Sequence, residues 1–460
     1  MDYSLTGCNP DAIFRLSSDK ELDVIKLGEF LNNHRALIIN RYKVLQDEYM
    51  TRYDILDPTL HTKPIYKPDK RIAVNFAKYI VDTMNGFFLG IPVKITSDDE
   101  RVAQYVNDLD AYNDQDDNNA ELSKMCSIYG KAYEMYYVDE AGYIGITYLS
   151  PLEAFMVYDD SVLERPRYFV RVYIDDDDVQ HISVSDAERV RYYTNYGGLH
   201  EVPDSERLHG FHDVPATEFL ENEERMGIFE PVRTLIKEYN EAISEKANDV
   251  AYFADAYLKV LGALVDEQSL QQIRDNRIIN FPGANDGALD VDFLQKPDGD
   301  ASQENLLNRL ERLIFQISMV ANISDENFGT SSGVALRYKL QAMSDLAATK
   351  QRKFTSGMNR RYKVIFANPV SGMAADAWTG LQYTFTRNLP ANLLEESQIA
   401  GNLAGIVSKQ TQLSVLSCVD DVQAEIEQIQ MDEEEGITDG FPTNRAPIDV
   451  SEEIEIDGQG

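Results

Sequence analysis

The chain has 460 residues, of which 43% are hydrophobic, 10% aromatic and 26% charged. This composition excludes a small disulfide-stapled protein and wholesale disorder, because the chain carries enough apolar side chains to build a core. The formal net charge of −35 excludes a protein whose whole surface binds nucleic acid or anionic membrane, so any contact with DNA must be local or weak.

Cysteines and hydropathy predict the compartment. Cys8, Cys126 and Cys418 are widely spaced and form no CxxC pair, which argues against a disulfide framework and a zinc ribbon and favours a reducing compartment. No run approaches the ~20 apolar residues that a bilayer span needs, and the first residues lack a leader pattern. We therefore expect neither secretion nor membrane anchoring.

The first half of the chain predicts helices followed by strands. Apolar residues recur at three- and four-residue steps over residues 20–53, which predicts a helix. Pro64 and Pro68 then predict an extended connector, and a second apolar helix is predicted to end at Gly90. Residues 131–220 contain short runs rich in Tyr, Val, Ile and Phe between turn residues, which predicts an antiparallel β unit.

Two long helices with an insert between them are predicted next. The first covers residues 228–257, with Pro231 in its first turn. Residues 258–301 predict a small mixed insert, in which two strand-like runs flank a short helix. The second helix begins at Ser302 and carries apolar residues at alternating steps of four and three, which would seat one face against a neighbour: Leu306, Leu310, Leu313, Ile317 and Val320.

A third long helix, from about Val334 to Phe366, opposes the charge of the whole chain. Gly357 offers a place for it to bend. It carries the single acid Asp345 and eight bases: Arg337, Lys339, Lys350, Arg352, Lys353, Arg360, Arg361 and Lys363. Because these bases are spread around the helix, we favour a spine that neutralises acidic neighbours within or between subunits; contact of some bases with DNA phosphates stays open.

The carboxyl-terminal part predicts one more strand, two shorter helices and an acidic disordered tail. The strand is expected in LQYTFTRN, and the helices in ESQIAGNLAGIV and DDVQAEIEQIQ. The tail covers residues 432–460, where acids far outnumber bases.

Motifs for common enzyme chemistries are missing from the sequence. It contains no GxxxxGK[ST], GxGxxG, GxSxG, HExxH or CxxC pattern, so we predict no catalytic residue, no cofactor and no metal. His209, His212 and Asp213 predict a surface turn, and Asp175 to Asp178 a solvated hairpin tip. Asp114 begins an acidic run that lacks the glycine and glutamate of a calcium loop. The many acids of the β region leave a carboxylate-dependent hydrolase open as an alternative.

Four segments together resemble the portal proteins of long-tailed, siphovirus-type bacteriophages, and the similarity runs from about residue 25 to 431. They are KPIYKPDKRIAVNFAKYIVDTMNGFFLGIPVKI, NDVAYFADAYLKV, SDENFGTSSGVALRYKLQAMSDLAATKQRKFTSGMNRRYKVI and QTQLSVLSCVDDVQAEIEQIQ. The resemblance implies an α+β portal fold with long stem helices, a small α/β clip, an α/β wing with a long spine helix, and a helical crown.

The resemblance also implies a division of the chain, which runs in order: wing 1–226, first stem helix 227–257, clip 258–301, second stem helix 302–322, tunnel loop 323–333, spine helix and closing strand 334–390, crown 391–431 and acidic tail 432–460. The residues that would face DNA are those of the tunnel loop: Ser324, Asp325, Glu326, Asn327, Phe328, Gly329, Thr330, Ser331 and Ser332. Those that would pack the stem are Ile236, Ile243, Val250, Leu306, Leu310, Leu313 and Ile317.

As function, the resemblance implies a ring of about twelve copies at one vertex of the virion capsid. Double-stranded DNA would pass through it during packaging and ejection, without sequence-specific contacts. Its expected partners are other copies of the chain, the terminase large subunit, a head–tail adaptor, and the major capsid and scaffolding proteins, met first in the host cytoplasm. The chain would be no enzyme and contact no membrane. Another head or neck structural protein is the second alternative.

Overall fold

A computed structural model describes most of the chain. The described residues are 13–60, 68–254, 258–261, 290–293, 300–323, 338, 340–388, 393–416, 418–419 and 422–434. They divide into two compact units, one reaching Asn388 and one beginning after it.

Within the described residues, the predicted helices are present in the predicted order, and two helices that were not predicted lie within residues 100–129. In the first unit the helices are α1 (Val24–Leu37), α2 (Lys43–Tyr49), α3 (Phe76–Leu89), α4 (Glu100–Tyr112), α5 (Gln115–Tyr129), α6 (Arg233–Ala254), α7 (Asp300–Ser318) and α8 (Gln341–Ala367). A π-helical turn, Ile38–Tyr42, joins α1 to α2, so the predicted first helix is confirmed as one rod with a bulge. The predicted end of α3 at Gly90 is also confirmed.

The strands form separate sheets rather than one unit. They are β1 (Phe14–Arg15), β2 (Lys94–Thr96), β3 (Lys131–Val138), β4 (Ile144–Leu149), β5 (Ala154–Tyr158), β6 (Pro166–Ile174), β7 (Gln180–Ser185), β8 (Arg189–Asn195), β9 (Leu199–Glu201), β10 (Arg207–Leu208), β11 (Ala216–Leu220), β12 (Leu258–Leu261), β13 (Asp290–Phe293) and β14 (Gln382–Thr384). Within residues 131–220 every described pair is antiparallel, as predicted.

The larger sheet has seven strands in the order β1-β5-β6-β7-β8-β10, with β9 beside β8. Its first strand, β1, lies parallel to β5, a long-range pairing that the local pattern did not predict. The smaller sheet has the order β11-β3-β4. A cluster that includes Tyr133 and Phe169, one from each sheet, packs the two sheets against each other.

One face of the larger sheet buries α1 through Leu27 and Phe30. On the smaller sheet, α4 and the carboxyl-terminal part of α8 share a cluster with Tyr136 and Ile146. The sheets therefore fix α8 at its carboxyl-terminal end.

The predicted insert is described only at two strands, β12 and β13, which pair with each other in antiparallel fashion. The run RIINFPG and the predicted short helix lie outside the described residues. The described part of the insert is therefore a two-stranded ribbon between α6 and α7.

The second unit contains α9 (Leu393–Leu403), α10 (Lys409–Leu413) and α11 (Val422–Glu434). Two of these helices were predicted, and α10 is added between them. Its first turn is capped by Ser408, whose hydroxyl accepts a hydrogen bond from the Thr411 amide. The helix α11 also extends into the first residues of the predicted acidic tail; the tail from residue 435 lies outside the described residues.

Candidate functional site

The predicted DNA-facing segment lies between α7 and α8. Residues 324–337, and with them Ser324 to Ser332 and Arg337, lie outside the described residues, as does Lys339. The structure describes the elements that hold this segment at both ends, and their contacts define the candidate site.

The chain entering the segment is fixed against α3. Met319 ends α7 with a left-handed backbone (φ 60°), and the Ile323 amide donates a hydrogen bond to the Tyr79 hydroxyl at 2.8 Å. The ring of Phe315 on α7 meets the rings of Phe76 and Tyr79 edge-on, with centroids 5.8 and 5.5 Å apart. The start of the predicted tunnel loop is therefore anchored in an aromatic cluster.

The helix that follows the segment, α8, is held by a buried lysine. The Lys350 ammonium donates to the Glu221 carboxylate at 2.6 Å, to the Ser127 hydroxyl at 2.6 Å and to the Ser123 carbonyl at 3.0 Å. The Lys350 and Glu221 side chains are 1% and 2% exposed, so the pair is shielded from water and salt. This contact attaches α8 to α5 and to the residue after β11.

A second buried pair lies further along α8. The Arg361 guanidinium donates to both Glu134 oxygens, at 2.7 and 2.8 Å, and to the Asn119 side-chain oxygen at 2.7 Å. Burial opposes the charge of Arg361, but the Glu134 carboxylate outweighs it and raises the pKa of Arg361 above its ordinary value. This bidentate geometry fixes the direction of the helix as well as its distance from β3.

Two further bases of α8 pair with acids at its edge. Arg360 bonds both oxygens of Asp213, at 3.2 Å each, and Lys353 pairs with Glu223. The remaining two described bases, Arg352 and Lys363, are exposed. Four of the eight bases named from the sequence therefore have carboxylate partners within the chain.

Two ion pairs join α6 and the turn before it to the amino-terminal helices, and their charges run in opposite directions. Arg41, in the π-helical turn, bonds both Glu230 oxygens at 2.9 and 2.7 Å. Glu48 on α2 accepts from Arg233 on α6 at 2.7 and 2.8 Å. The base lies on the amino-terminal helix in one pair and on α6 in the other. Both pairs can therefore form only in one alignment of the amino-terminal helices with α6.

A row of buried polar side chains extends the contact between α6 and the amino-terminal part of the chain. Asn240, Ser244 and Asn248 are each separated by four residues and are 1, 3 and 5% exposed. Their side chains bond the backbone of the extended segment before α3. The bonds run from the Val74 amide to Asn240 at 2.8 Å, from the Ile72 amide to Ser244 at 3.0 Å, and from the Lys70 amide to Asn248 at 2.6 Å.

Geometry explains why this polar row matches an extended chain. Four helical residues advance about 6.0 Å, and two residues of an extended strand advance about 6.6 Å, so side chains at every fourth position reach every second amide. The Asn248 amide also donates to the Lys70 carbonyl at 3.0 Å, and the Ser244 hydroxyl shares its one proton between the carbonyls of Ile72, at 3.0 Å, and Asn240, at 2.7 Å. Sequence reasoning missed these residues, although their four-residue spacing beside the apolar stripe was a readable signal.

The stem residues named from the sequence fall into three groups. Ile236 and Leu310 are buried, and Ile243 and Leu313 are half-buried. Val250, Leu306 and Ile317 are 62, 45 and 47% exposed in the single chain. Leu307 and Ile314, which the sequence analysis did not name, fill the contact between α7 and the rest of the unit.

The acidic motifs examined for metal binding have other partners. Asp175 accepts from the Asp177 and Val179 amides at 3.0 and 2.9 Å and closes the tip of the β6–β7 hairpin, as predicted. His209 contacts the Asp186 carbonyl at 3.0 Å. Across the described ranges, no cluster of His, Cys, Asp and Glu side chains is suited to hold a metal ion. The helices of the same ranges are also too short or too polar to span a bilayer.

Comparison with known proteins gives consistent relatives. Residues 29–439 match the profile of the family described as "Phage portal protein, SPP1 Gp6-like". The portal protein of Bacillus phage SPP1 is 26% identical over 390 residues, which cover 79% of this chain and 76% of that protein. The portal protein of Clostridium phage phiCD119 is 24% identical over 442 residues, covering 88% and 96%.

Among solved structures, a chain in the "Neck of empty GTA particle computed with C6 symmetry" matches with a TM-score of 0.44 and 12% identity, over 74% of this chain and 89% of that one. The family profile spans most of the helices and sheets described above. The chain therefore belongs to the phage portal protein family.

Proposed function

We propose that this chain assembles into a closed ring of about twelve copies at one vertex of a phage head, and that double-stranded DNA passes through the ring during packaging and ejection. The observation that carries the proposal is the family match over residues 29–439. The proposed partners are further copies, the terminase large subunit, a head–tail adaptor, and the capsid and scaffolding proteins. Assembly would take place in the host cytoplasm.

Apolar residues of the proposed stem that are exposed or half-buried in the single chain support a ring. On α7, Leu306, Leu313 and Ile317 lie within about 40° of one another around the helix axis, beside the face that packs inside the chain. A neighbouring copy would remove this stripe from water, and a head-to-tail contact of this kind closes into a ring when its rotation allows. We assign Val250 on α6 to the same proposed contact.

Within this ring, α6 and α7 would be the stem and the ribbon of β12 and β13 part of the clip. The segment Ser324–Ser332 would face the DNA. Because Lys350, Lys353, Arg360 and Arg361 already have carboxylate partners, we assign them to the spine and not to DNA. A channel with few free bases would let the duplex slide, since each added phosphate contact strengthens binding.

We further propose that the chain has a structural role and catalyses no reaction. Two buried carboxylates of the β region support this, because bases hold their oxygens. Glu134 is paired with Arg361, and Glu218 with Lys131 and Arg225 at 3.2 and 3.1 Å. Burial opposes ionisation of Glu218, yet these two bases lower the pKa of Glu218 to about 2, so it stays charged and unsuited to proton transfer near neutral pH.

Native mass measurement of the purified chain tests the ring. We expect a species near twelve times 52.2 kDa. The double variant Leu306→Gln/Ile317→Gln should remain folded but give smaller species, because it makes the proposed contact polar. Leu208→Gln, an exposed leucine on β10, is the matched control and should still form the ring. A wild-type monomer, or equal assembly of the double variant, would contradict the proposal.

A further inference from the structure

Three exposed tyrosines converge at one end of the smaller sheet. Tyr112 ends α4, and Tyr137 and Tyr143 flank the turn between β3 and β4. They are 52, 44 and 58% exposed. The rings of Tyr112 and Tyr143 lie 5.1 Å apart at an interplanar angle of 37°. We call these three residues the tyrosine platform.

The platform is held in place by the backbone beneath it. Asn113 donates to the Leu109 and Ile144 carbonyls at 2.9 and 3.1 Å and accepts from the Ile146 amide at 2.7 Å, which joins the end of α4 to β4. Gly145 lies directly under the Tyr137 ring, since a Cβ there would be 2.4 Å from Cζ. The tyrosine rings are thus ordered before any partner binds.

Asp139 connects the turn to the platform. It accepts from the Ala141 and Tyr143 amides at 2.9 and 2.8 Å, and the Tyr112 hydroxyl donates to its other oxygen. The neighbouring Glu140 is exposed. Carboxylates therefore lie at the edge of an aromatic surface that is about half exposed in the described chain.

The elements that carry the platform are mainly acidic. Residues 100–149, which supply α4, α5 and the β3–β4 hairpin, contain three bases: Arg101, Lys124 and Lys131. They contain ten acids: Glu100, Asp108, Asp110, Asp114, Asp116, Asp117, Glu121, Glu134, Asp139 and Glu140. Of these acids, Glu134 is paired with Arg361 and Glu121 with Lys124. Such a surface repels DNA and a second copy of a chain whose net charge is −35.

We propose that the tyrosine platform docks a partner polypeptide segment in which arginine or lysine side chains alternate with apolar ones. Guanidinium and ammonium groups bind tyrosine faces by cation–π attraction, and Asp139 and Glu140 complement their charge. Rigid exposed tyrosines supply contact area at low entropic cost, which is typical of residues that dominate binding. This surface is separate from the stem contact and does not depend on ring formation.

The experiment measures binding of two fluorescent peptides to the full chain by anisotropy. One alternates arginine with leucine and the other glutamate with leucine. We expect the basic peptide to bind and the acidic one not to. The variant Tyr112→Ser/Tyr143→Ser should weaken binding roughly tenfold, and Glu140→Lys severalfold, with a loss of affinity at high salt. The controls Tyr196→Ser and Glu201→Lys, exposed residues of the larger sheet, should bind as the wild type does.

Three results would overturn the proposal. The first is equal binding to the wild type and to both platform variants. The second is weakening by Glu140→Lys alone, which would indicate attraction by charge without an aromatic contact. The third is a change in native mass of the double variant without a change in peptide binding, which would make the platform a contact between copies. If the double variant fails to fold, the single variants Tyr143→Ser and Tyr143→Phe decide the result: the first removes one exposed ring and should weaken binding, the second keeps the ring and should bind normally, and equal binding by the two would overturn the proposal.

Discussion

A methyl group at Gly357 of α8 would lie 2.5 Å from the Cδ1 and Cε1 atoms of Phe219 on β11. Glycine at this position therefore serves close approach of the helix to the smaller sheet. The helix α8 runs through this position without interruption, from Gln341 to Ala367.

Replacing this glycine by alanine should destabilise the fold. Phe219 is fully buried and also contacts the ring of Phe354 at 5.0 Å, so it cannot move aside freely. Overpacking costs about 1–3 kcal/mol, which exceeds the gain of about 1 kcal/mol in helix propensity. Urea unfolding of Gly357→Ala should show this loss. The control Gly86→Ala on α3, where nothing lies within 4 Å, should be neutral or stabilising; equal effects would refute the packing explanation.

The buried ion pair between Arg361 and Glu134 should be far more sensitive to truncation than the exposed pair between Lys353 and Glu223. Arg361→Met leaves a carboxylate buried without its base and should cost about 3–5 kcal/mol of unfolding free energy. The added change Glu134→Gln should recover part of that loss. Lys353→Met should cost less than about 1 kcal/mol, because Glu223 is mostly exposed. The denaturation midpoints of the three variants measure these losses. Similar losses for Arg361→Met and Lys353→Met would contradict the expected difference between the buried and the exposed pair.

The polar row on α6 should control local opening of the extended segment beside it. Ser244→Ala removes the partner of both the Ile72 amide and its carbonyl. Losing these partly buried hydrogen bonds costs about 0.5–1.5 kcal/mol each, so hydrogen exchange at residues 70–74 should become faster. Glu238→Ala, an exposed change on the same helix, serves as the control. Unchanged exchange in Ser244→Ala would show that the row does not hold the segment.

His34 should make the fold sensitive to mild acid. Burial lowers the pKa of His34 from 6.5 to about 4, and its Nε2 contacts the Pro151 carbonyl at 2.7 Å. Because the unfolded chain binds the proton more readily, stability is lost as the pH falls from 6.5 towards 4, by about 2 kcal/mol between pH 7 and pH 5. The variant His34→Gln keeps a hydrogen-bond donor but does not titrate. Between pH 7 and pH 5 its unfolding free energy should therefore fall by about 2 kcal/mol less than that of the wild type. The same pH dependence in both proteins would disprove this role.

Features that depend on residues close together in the chain could be predicted from the sequence. The helix over 20–53, the end of α3 and the β6–β7 tip all follow from spacing, glycine and aspartate. Pairings between distant residues, such as β1 with β5 or Arg361 with Glu134, could not be predicted, because they depend on which elements meet.

The stem illustrates the same limit within a single helix. Because Leu306 and Leu307 are adjacent, two apolar stripes overlap on α7. Periodicity alone does not show which of these stripes packs inside the chain. The structure buries Leu307 and Ile314 and leaves Leu306 and Ile317 exposed. Likewise, the bases of α8 suggested neutralisation, but their acids lie on β3 and in the loops before and after β11, which no local pattern connects to α8.

The most direct test of the proposed portal role is a three-dimensional electron microscopy reconstruction of the purified full-length chain. We predict a closed ring of about twelve subunits, with α6 and α7 side by side around a central channel wide enough for a DNA duplex. Solitary chains at high concentration, open filaments, or a closed assembly without a central opening would contradict it.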